Sequence, residues 1–488
     1  MATERRHALR RLAAFGLGGG LWCVGDAWAA AGTGAGSAAN PGRAPATGGP
    51  GPGPLPAPRP AAQHPAALPP ALRRAAAGQT VLSAAWQRRD GQHQIGWLAL
   101  PADGGALRVL AALDVPTRAH QVIAGTDGAL LAVARRPGDW LLRWAGPGHR
   151  AQWRWADDDR RYNGHLLPSP DGRWLLSTET DLLDGLGRIV RRDAASLATV
   201  EVWPSGGRDP HQLIWAGAEA PGALYVANGG ITTLPETGRR KLALGTMDSS
   251  IVRLDGHDGR LLAQWRLDDP RLSLRHLARP ADERPSPRGR PGPSAVAPAN
   301  TAATPSATSA NTSAPDSAST TAPMSTTSAR LDAAGQPTAS TAALAAGTAG
   351  PTSPPRPWLA IALQAEHDAA EARARAPVLA LLDADGLRAI DAPLPLAGYG
   401  GDLCATGAGW AVSCPRVDGV ALYAQDGRWV GLRSLEQAYA LAAAGDGARW
   451  WVGGLQQAQR RRTDATEPQS GSAVDGLQID NHWQWQAG

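Results

Sequence analysis

The amino-acid sequence predicts an all-β protein, a seven-bladed β-propeller with a disordered N-terminal tether and one long disordered insertion. Three observations predict it. Helical patterning is scarce. Short apolar runs such as Leu130-Leu131-Ala132-Val133-Ala134, Ala223-Leu224-Tyr225-Val226-Ala227 and Val378-Leu379-Ala380-Leu381-Leu382 recur, each of strand length and bounded by turn residues. Asp-Gly pairs punctuate these runs, and Asp-Gly supplies the positive-φ positions that tight hairpins need.

Residues 1–29 read as an export signal: a basic head, a modest apolar stretch and Ala27-Trp28-Ala29 as the small-residue cleavage site. The paired Arg5-Arg6, followed by Leu9 and Arg10, points to the twin-arginine route and a periplasmic destination. Cys23 lies before that site and follows the bulky Trp22, against a lipoprotein anchor. No apolar run reaches the roughly 18 residues of a membrane span, so a multi-span membrane protein is excluded. With 3 Cys in 488 residues, a disulfide-dense scaffold is excluded too.

Residues 30–78 are rich in Ala, Gly and Pro and lack aromatic residues, so they cannot bury enough apolar area to offset ordering entropy; they read as a disordered tether. Residues 79–280 read as the first part of the propeller. Residues 281–356 form a low-complexity insertion of Ala, Pro, Ser and Thr without an aromatic residue. Such a loop is tolerated because closure entropy grows only logarithmically with length. Residues 357–488 complete the propeller.

The turn-then-strand phrase Pro168-Ser169-Pro170-Asp171-Gly172-Arg173-Trp174-Leu175-Leu176 is typical of propeller blades, and echoes occur at 124–131 and 443–451. At roughly 40–50 residues per blade, the two parts hold about seven blades. Paired β-sandwich domains are the competing architecture.

The net charge of +5 does not belong to that core. The signal holds +2, the tether +4 and the insertion +1, which leaves the core at −2. A nucleic-acid partner therefore loses its main support.

Standard catalytic signatures are missing: the sequence has no G-x-S-x-G, H-E-x-x-H, C-x-x-C or Walker loop. The Gly-rich stretches lie in the signal and tether, so no nucleotide cofactor is expected. Cys404 and Cys414 flank one hairpin; a disulfide and two inert buried thiols are equally open readings.

Four histidines stand out: His120, His165, His211 and His276, spaced 45, 46 and 65 residues apart. The first two gaps match one blade period. Equivalent positions in successive blades would point the imidazoles at one central channel, where they could ligate a transition metal such as iron or copper. The competing reading is structural, with each histidine tying together the strands of its own blade. Glu179 and Asp181, and Glu366-His367-Asp368, could complete such a site; the second group reads more readily as a solvated turn. Asn228-Gly229-Gly230 reads as a turn or a close backbone approach. Arg135-Arg136-Pro137-Gly138 reads as a solvated hairpin end or an anion site, and Arg239-Arg240-Lys241 as a surface loop.

The phrases AVARRPGDW (132–140), GHLLPSPDGR (164–173), STETD (177–181), SGGRDPHQL (205–213), VANGGITTLPETGRRKL (226–242), SLRHL (273–277) and IALQ (361–364) occur in order. Together they resemble the bacterial family known as domain of unknown function 1513. The resemblance spans about 80 to 455. It implies a seven-bladed propeller of the quinoprotein or YVTN type, twin-arginine export, and a periplasmic role beside iron-uptake proteins. His120, His165, Glu179, His211, Asn228, Arg275 and His276 match the family's motifs, while Leu234 and Ala243 depart from the expected His and Asn. Arg118, Arg136 and Gln364 are further candidates. Three functions remain in view: a metal-linked binding or accessory protein in iron handling, a protein-interaction scaffold, and an oxidoreductase or lactonase-like propeller enzyme.

Overall fold

The structure, a computed structural model, describes residues 68–102, 104–233, 240–242, 244–281, 356–445, 447–464, 468 and 470–486. The expected signal, most of the tether and insertion, and the two departures at Leu234 and Ala243 lie outside the described residues.

Seven antiparallel sheets carry the described strands. Blades I to VI are four-stranded meanders running in chain order. Their inner strands are Ala119–Ala124, Arg160–Pro168, Pro210–Trp215, Leu272–Ala278, Leu403–Thr406 and Ala440–Ala443. Blade VII combines both ends of the domain. Its strands Thr80–Arg88, His93–Leu100 and Arg108–Val115 precede blade I in sequence, and Leu477–Ile479 and Gln484–Gln486 return to pair with Thr80–Arg88. Trp86 faces Ile479 across that pairing and Leu82 faces Trp485. This non-local pairing closes the ring.

The apolar residues explain why the sheets stack face to face. Blade strands are buried on both faces, so they read as near-continuous apolar runs rather than clean alternation. Leu130–Ala134 and Leu379–Asp383 are buried at every position. Seven apolar clusters result, one for each pair of neighbouring blades. Trp140, Trp410 and Trp451 are fully buried within them. The Asp-Gly turns behave as expected: Gly172, at φ +71°, turns the chain between the first two strands of blade II.

Two segments sharpen the sequence reading. The last residues of the expected tether are part of the core: Pro70–Ala75 is a short helix, and Leu68, Leu72 and Ala76 pack into the cluster between blades VII and I. Three apolar residues at helical spacing suffice to dock this segment, which composition alone does not reveal. The insertion joins the first two strands of blade IV, Leu272–Ala278 and Leu359–Ala365, which pair directly. The propeller is therefore interrupted within a hairpin, not between blades.

Trp483 anchors the closure. It is nearly buried, and its ring lies where a Cβ on Gly453 of blade VI would sit, at 2.5 Å. Trp483→Ala should cost about 3–5 kcal/mol of unfolding free energy in urea denaturation. A loss below about 1 kcal/mol would show that the ring does not depend on this contact.

Candidate functional site

The histidines reach the axis through bulges. In each of the first four inner strands the pairing with the second strand slips where the histidine sits: between Ala119 and Gln121, Tyr162 and Leu166, Pro210 and Leu213, and Leu274 and Leu277. A bulge adds a residue, bends the strand and re-aims a side chain. His120, His165, His211 and His276 all lie in these slips. The interruption between Leu477–Ile479 and Gln484–Gln486 does the same for His482, at φ +66°. The bulges are held from the neighbouring blade: Gln121 Oε1 accepts from the Leu166 amide at 2.6 Å, and Gln212 Oε1 from the Leu277 amide at 2.6 Å.

Five imidazoles meet as a result. Ring centroids lie 4.8 Å apart for His120 and His165, 4.7 Å for His165 and His211, 4.6 Å for His211 and His276, and 4.3 Å for His276 and His482. His482 returns to His120 at 4.8 Å. One nitrogen from each of His120, His165, His211 and His276 can be chosen so that all four lie within 4.8 Å of one another. His211 Nε2 and His276 Nε2 share a hydrogen bond at 2.9 Å. Both ring nitrogens of His120 and of His165 are buried without a partner, as are Nδ1 of His211 and of His276 and Nε2 of His482. Each buried unmade hydrogen bond costs about 1–3 kcal/mol.

The packing is tight. A Cβ on Gly164, at φ +104°, would come within 2.6 Å of the His120 ring, so both its backbone angle and its lack of a side chain are needed there. His482 is oriented from behind. Its Nδ1 lies 2.9 Å from Asp402 Oδ1, and the same carboxylate accepts from the Leu403 and Leu441 amides. A carboxylate behind an imidazole takes the Nδ1–H, fixes that tautomer and leaves the Nε2 lone pair free to bind a metal or accept a hydrogen bond.

Burial is the main cause that holds His120, His165, His211 and His276 well below the ordinary imidazole value of 6.5; mutual repulsion with neighbouring imidazoles adds to it. At neutral pH these four are therefore neutral, the form that donates a lone pair.

Beside the imidazoles lies a buried ion triad. Asp209 Oδ1 takes Arg136 Nη1, and Asp209 Oδ2 takes Arg275 Nη1 at 2.8 Å. The two guanidiniums hold the Asp209 carboxyl below its ordinary value against the opposing effect of burial. Lys241 pairs with Glu366, and Arg118 grips Asp480 through Nε and Nη2.

Several sequence candidates have other roles. Glu179 is not among the imidazoles: Ser177 Oγ and Arg192 Nη2 donate to its Oε1, and Arg160 lies at 3.4 Å from Oε2. Its near-zero exposure reflects this cation clamp within blade II. Asp181 binds Arg188, and Glu366-His367-Asp368 is split among Lys241, Asp269 and Arg271. Asn228 ties blade III to Ser205 of blade II. Gln364 pairs with Ser273 and bridges to Tyr399. Arg136, read as a solvated hairpin end or an anion site, is not solvated: it is buried on the Asp209 carboxylate, which the start of the blade III inner strand brings beneath it. Cys404 and Cys414 are free thiols, and burial pushes Cys414 up to about 12. The 65-residue gap before His276 reflects the long connection between Asn228 and Ser250 in blade III. His482, Asp402 and Asp209 were not singled out in the sequence. Asp209 and Asp402 directly precede inner strands, and His482 sits on the returning C-terminal segment, outside the blade-period series.

The family described as "Protein of unknown function (DUF1513)" matches residues 113–486. No curated protein matches the chain. Among solved structures, hydrazine synthase of Kuenenia stuttgartiensis is similar at 11% identity and a TM-score of 0.47, covering 78% of this chain and 94% of that one. A putative 6-phosphogluconolactonase from Bacteroides uniformis is similar at 9% identity and a TM-score of 0.44, covering 84% and 99%. Apo AztD from Citrobacter koseri is similar at 9% identity and a TM-score of 0.39, covering 83% and 90%. These resemblances are remote.

Two outcomes follow from the site's electrostatics. Below pH 6.5 the unfolded chain takes up protons at four histidines that the folded chain refuses, so their contribution to stability is fully present above 6.5 and falls as the pH drops below it. Urea titrations should show a loss approaching about 1.4 kcal/mol per pH unit per histidine; a flat profile between about pH 7.5 and about pH 5.5 would contradict neutral burial. Glu179→Gln should cost about 3–5 kcal/mol by stranding buried Arg192, with the imidazole resonances in NMR spectra unmoved.

Proposed function

The chain belongs to the DUF1513 family, and on that premise we propose that it is a periplasmic binding or accessory protein that takes one transition-metal ion, iron or copper, on the axial histidines. The observation that carries this reading is the convergence of His120, His165, His211 and His276, one ring nitrogen of each within 4.8 Å of the others, where buried ring nitrogens of these four and of His482 have no partner. A protein interior rarely leaves so many polar atoms without partners unless a common partner satisfies them.

The donor set fits such an ion. Neutral imidazole suits iron, copper and zinc, whereas hard cations prefer oxygen. A tetrahedral nitrogen site with bonds of about 2.0–2.1 Å has donor-to-donor edges of about 3.3–3.4 Å. The 2.9 Å contact between His211 and His276 needs to open by less than half an ångström or so to match it. His482 backed by Asp402 has the outer-shell support that ligating histidines use. The role of this chain's residues is to hold lone pairs in place and exclude water.

Export by the twin-arginine route rests on Arg5-Arg6 and the Ala27-Trp28-Ala29 site. That route carries folded proteins, which would allow a metal to be loaded before export. An enzymatic reading has less support, since Glu179 is clamped by arginines rather than facing the imidazoles.

The test is a titration of chelator-stripped protein with Fe(II), Cu(II) and Zn(II), followed by elemental analysis. One equivalent of iron or copper is expected to remain after desalting. The double variant His211→Ala, His276→Ala should weaken affinity by more than about 100-fold, since even outer-shell changes cost 10–100-fold. No stoichiometric metal in the wild-type protein would overturn the reading.

A further inference from the structure

Arg275 is fully buried, immediately precedes His276 and lies in the same bulge. Its Nη1 is committed to Asp209, but Nε and Nη2 have no hydrogen-bond partner. These two nitrogens form one edge of the guanidinium. The same edge holds a carboxylate elsewhere in this molecule: Arg266 on Asp248 at 2.7 and 3.0 Å, Arg462 on Asp464 at 2.7 and 2.6 Å, and Arg118 on Asp480. At those exposed or half-exposed places an acid supplies the oxygens, while in the interior no described residue does.

The charge count points the same way. Arg136 and Arg275 share the single carboxylate of Asp209, Lys241 and Glu366 cancel, and Asp402 is engaged by His482 and two backbone amides. Within the Asp209 triad one negative charge therefore meets two positive charges. A divalent ion on neutral imidazoles next to it would add two more. Buried charge of one sign persists only when it is paired.

We propose that the Nε/Nη2 edge of Arg275 is a recognition site for a small carboxylate-type oxyanion, held beside the histidines as counter-ion and co-ligand of the metal. The fork matches two coplanar oxygens, which a lysine ammonium does not. Gly229 leaves room for the ion pair that positions this guanidinium, since a Cβ there would lie 2.7 Å from Arg275 Nη1, 2.8 Å from Asp209 Oδ2 and 2.9 Å from Arg275 Cζ. The co-ligand role rests on the metal reading above, whereas anion binding by the metal-free protein does not. Two sources share this chemistry: free carbonate, and the carboxylate of a small hydroxy-acid that arrives as a metal chelate.

The experiment is calorimetric titration of the full chain, with and without metal, using bicarbonate in one arm and citrate in the other. At least one anion should bind the metal-free protein with one-to-one stoichiometry and bind at least about tenfold more tightly once metal is present. Bicarbonate binding identifies free carbonate; binding of citrate alone identifies a chelate. Arg275→Lys keeps the charge facing Asp209 and loses the fork, and should weaken the anion by at least about tenfold. Gly229→Ala, which crowds the same guanidinium, is the second variant and should weaken it too. The inference is overturned if neither anion binds the wild-type protein, or if folded Arg275→Lys and Gly229→Ala bind it unchanged. Metal uptake with no anion effect sinks this inference alone. Anion binding without metal uptake sinks only the metal reading and the co-ligand role.

Discussion

The pairing of the C-terminal segment with Thr80–Arg88 is the constraint on which the other features depend. It joins residues such as Ser83 and Gln484, 401 positions apart in sequence, and converts a row of sheets into a ring. In a closed ring the inner strands cannot splay, and their inward side chains must share one narrow axis. The seven interblade apolar clusters supply the stabilisation that makes this crowding tolerable. Closure also brings His482 between His276 and His120, where it completes the ring of imidazoles.

Crowding at the axis decides the chemistry available there. Burial keeps His120, His165, His211 and His276 neutral, and their lone pairs favour a cation with directional bonds. The bulges are the local device. Each interrupts the ladder where a histidine is needed, and in blades II and IV a glutamine from the preceding blade satisfies an amide that the interruption frees. Backbone pairing is thus sacrificed at the axis and recovered through side chains. Two shells result: imidazoles inside, and a fixed frame of Asp402, Gln121, Gln212 and the Asp209 triad outside.

The arginines divide into two groups by what they face. Glu179 and Arg192 satisfy one another inside blade II, away from the axis, so they hold the sheet together and leave the imidazoles unaffected. Arg136 and Arg275 converge on one carboxylate beside the imidazoles and retain an excess of charge. The difference between a buried cation that is matched and one that is not separates a structural arginine from a recognition element.

The amino-acid sequence by itself determined the repeat architecture, because strand length, turn chemistry and apolar patterning are local properties that survive in a linear reading. It also marked His120, His165, His211 and His276, since three of them recur at the blade period. It misplaced Glu179, whose partner Arg192 is on the next strand of the same hairpin, and left Arg136 open between a solvated hairpin end and an anion site, because its partner Asp209 is 73 residues away and leaves no local trace. Missing altogether were His482, Asp402 and the docked helix Pro70–Ala75, for the same reason. Period and propensity report what each segment does alone. Only the tertiary structure decided which imidazoles meet, which charges are paired and which guanidinium edge has no partner, because ring closure sets those distances and no local property of the chain encodes it.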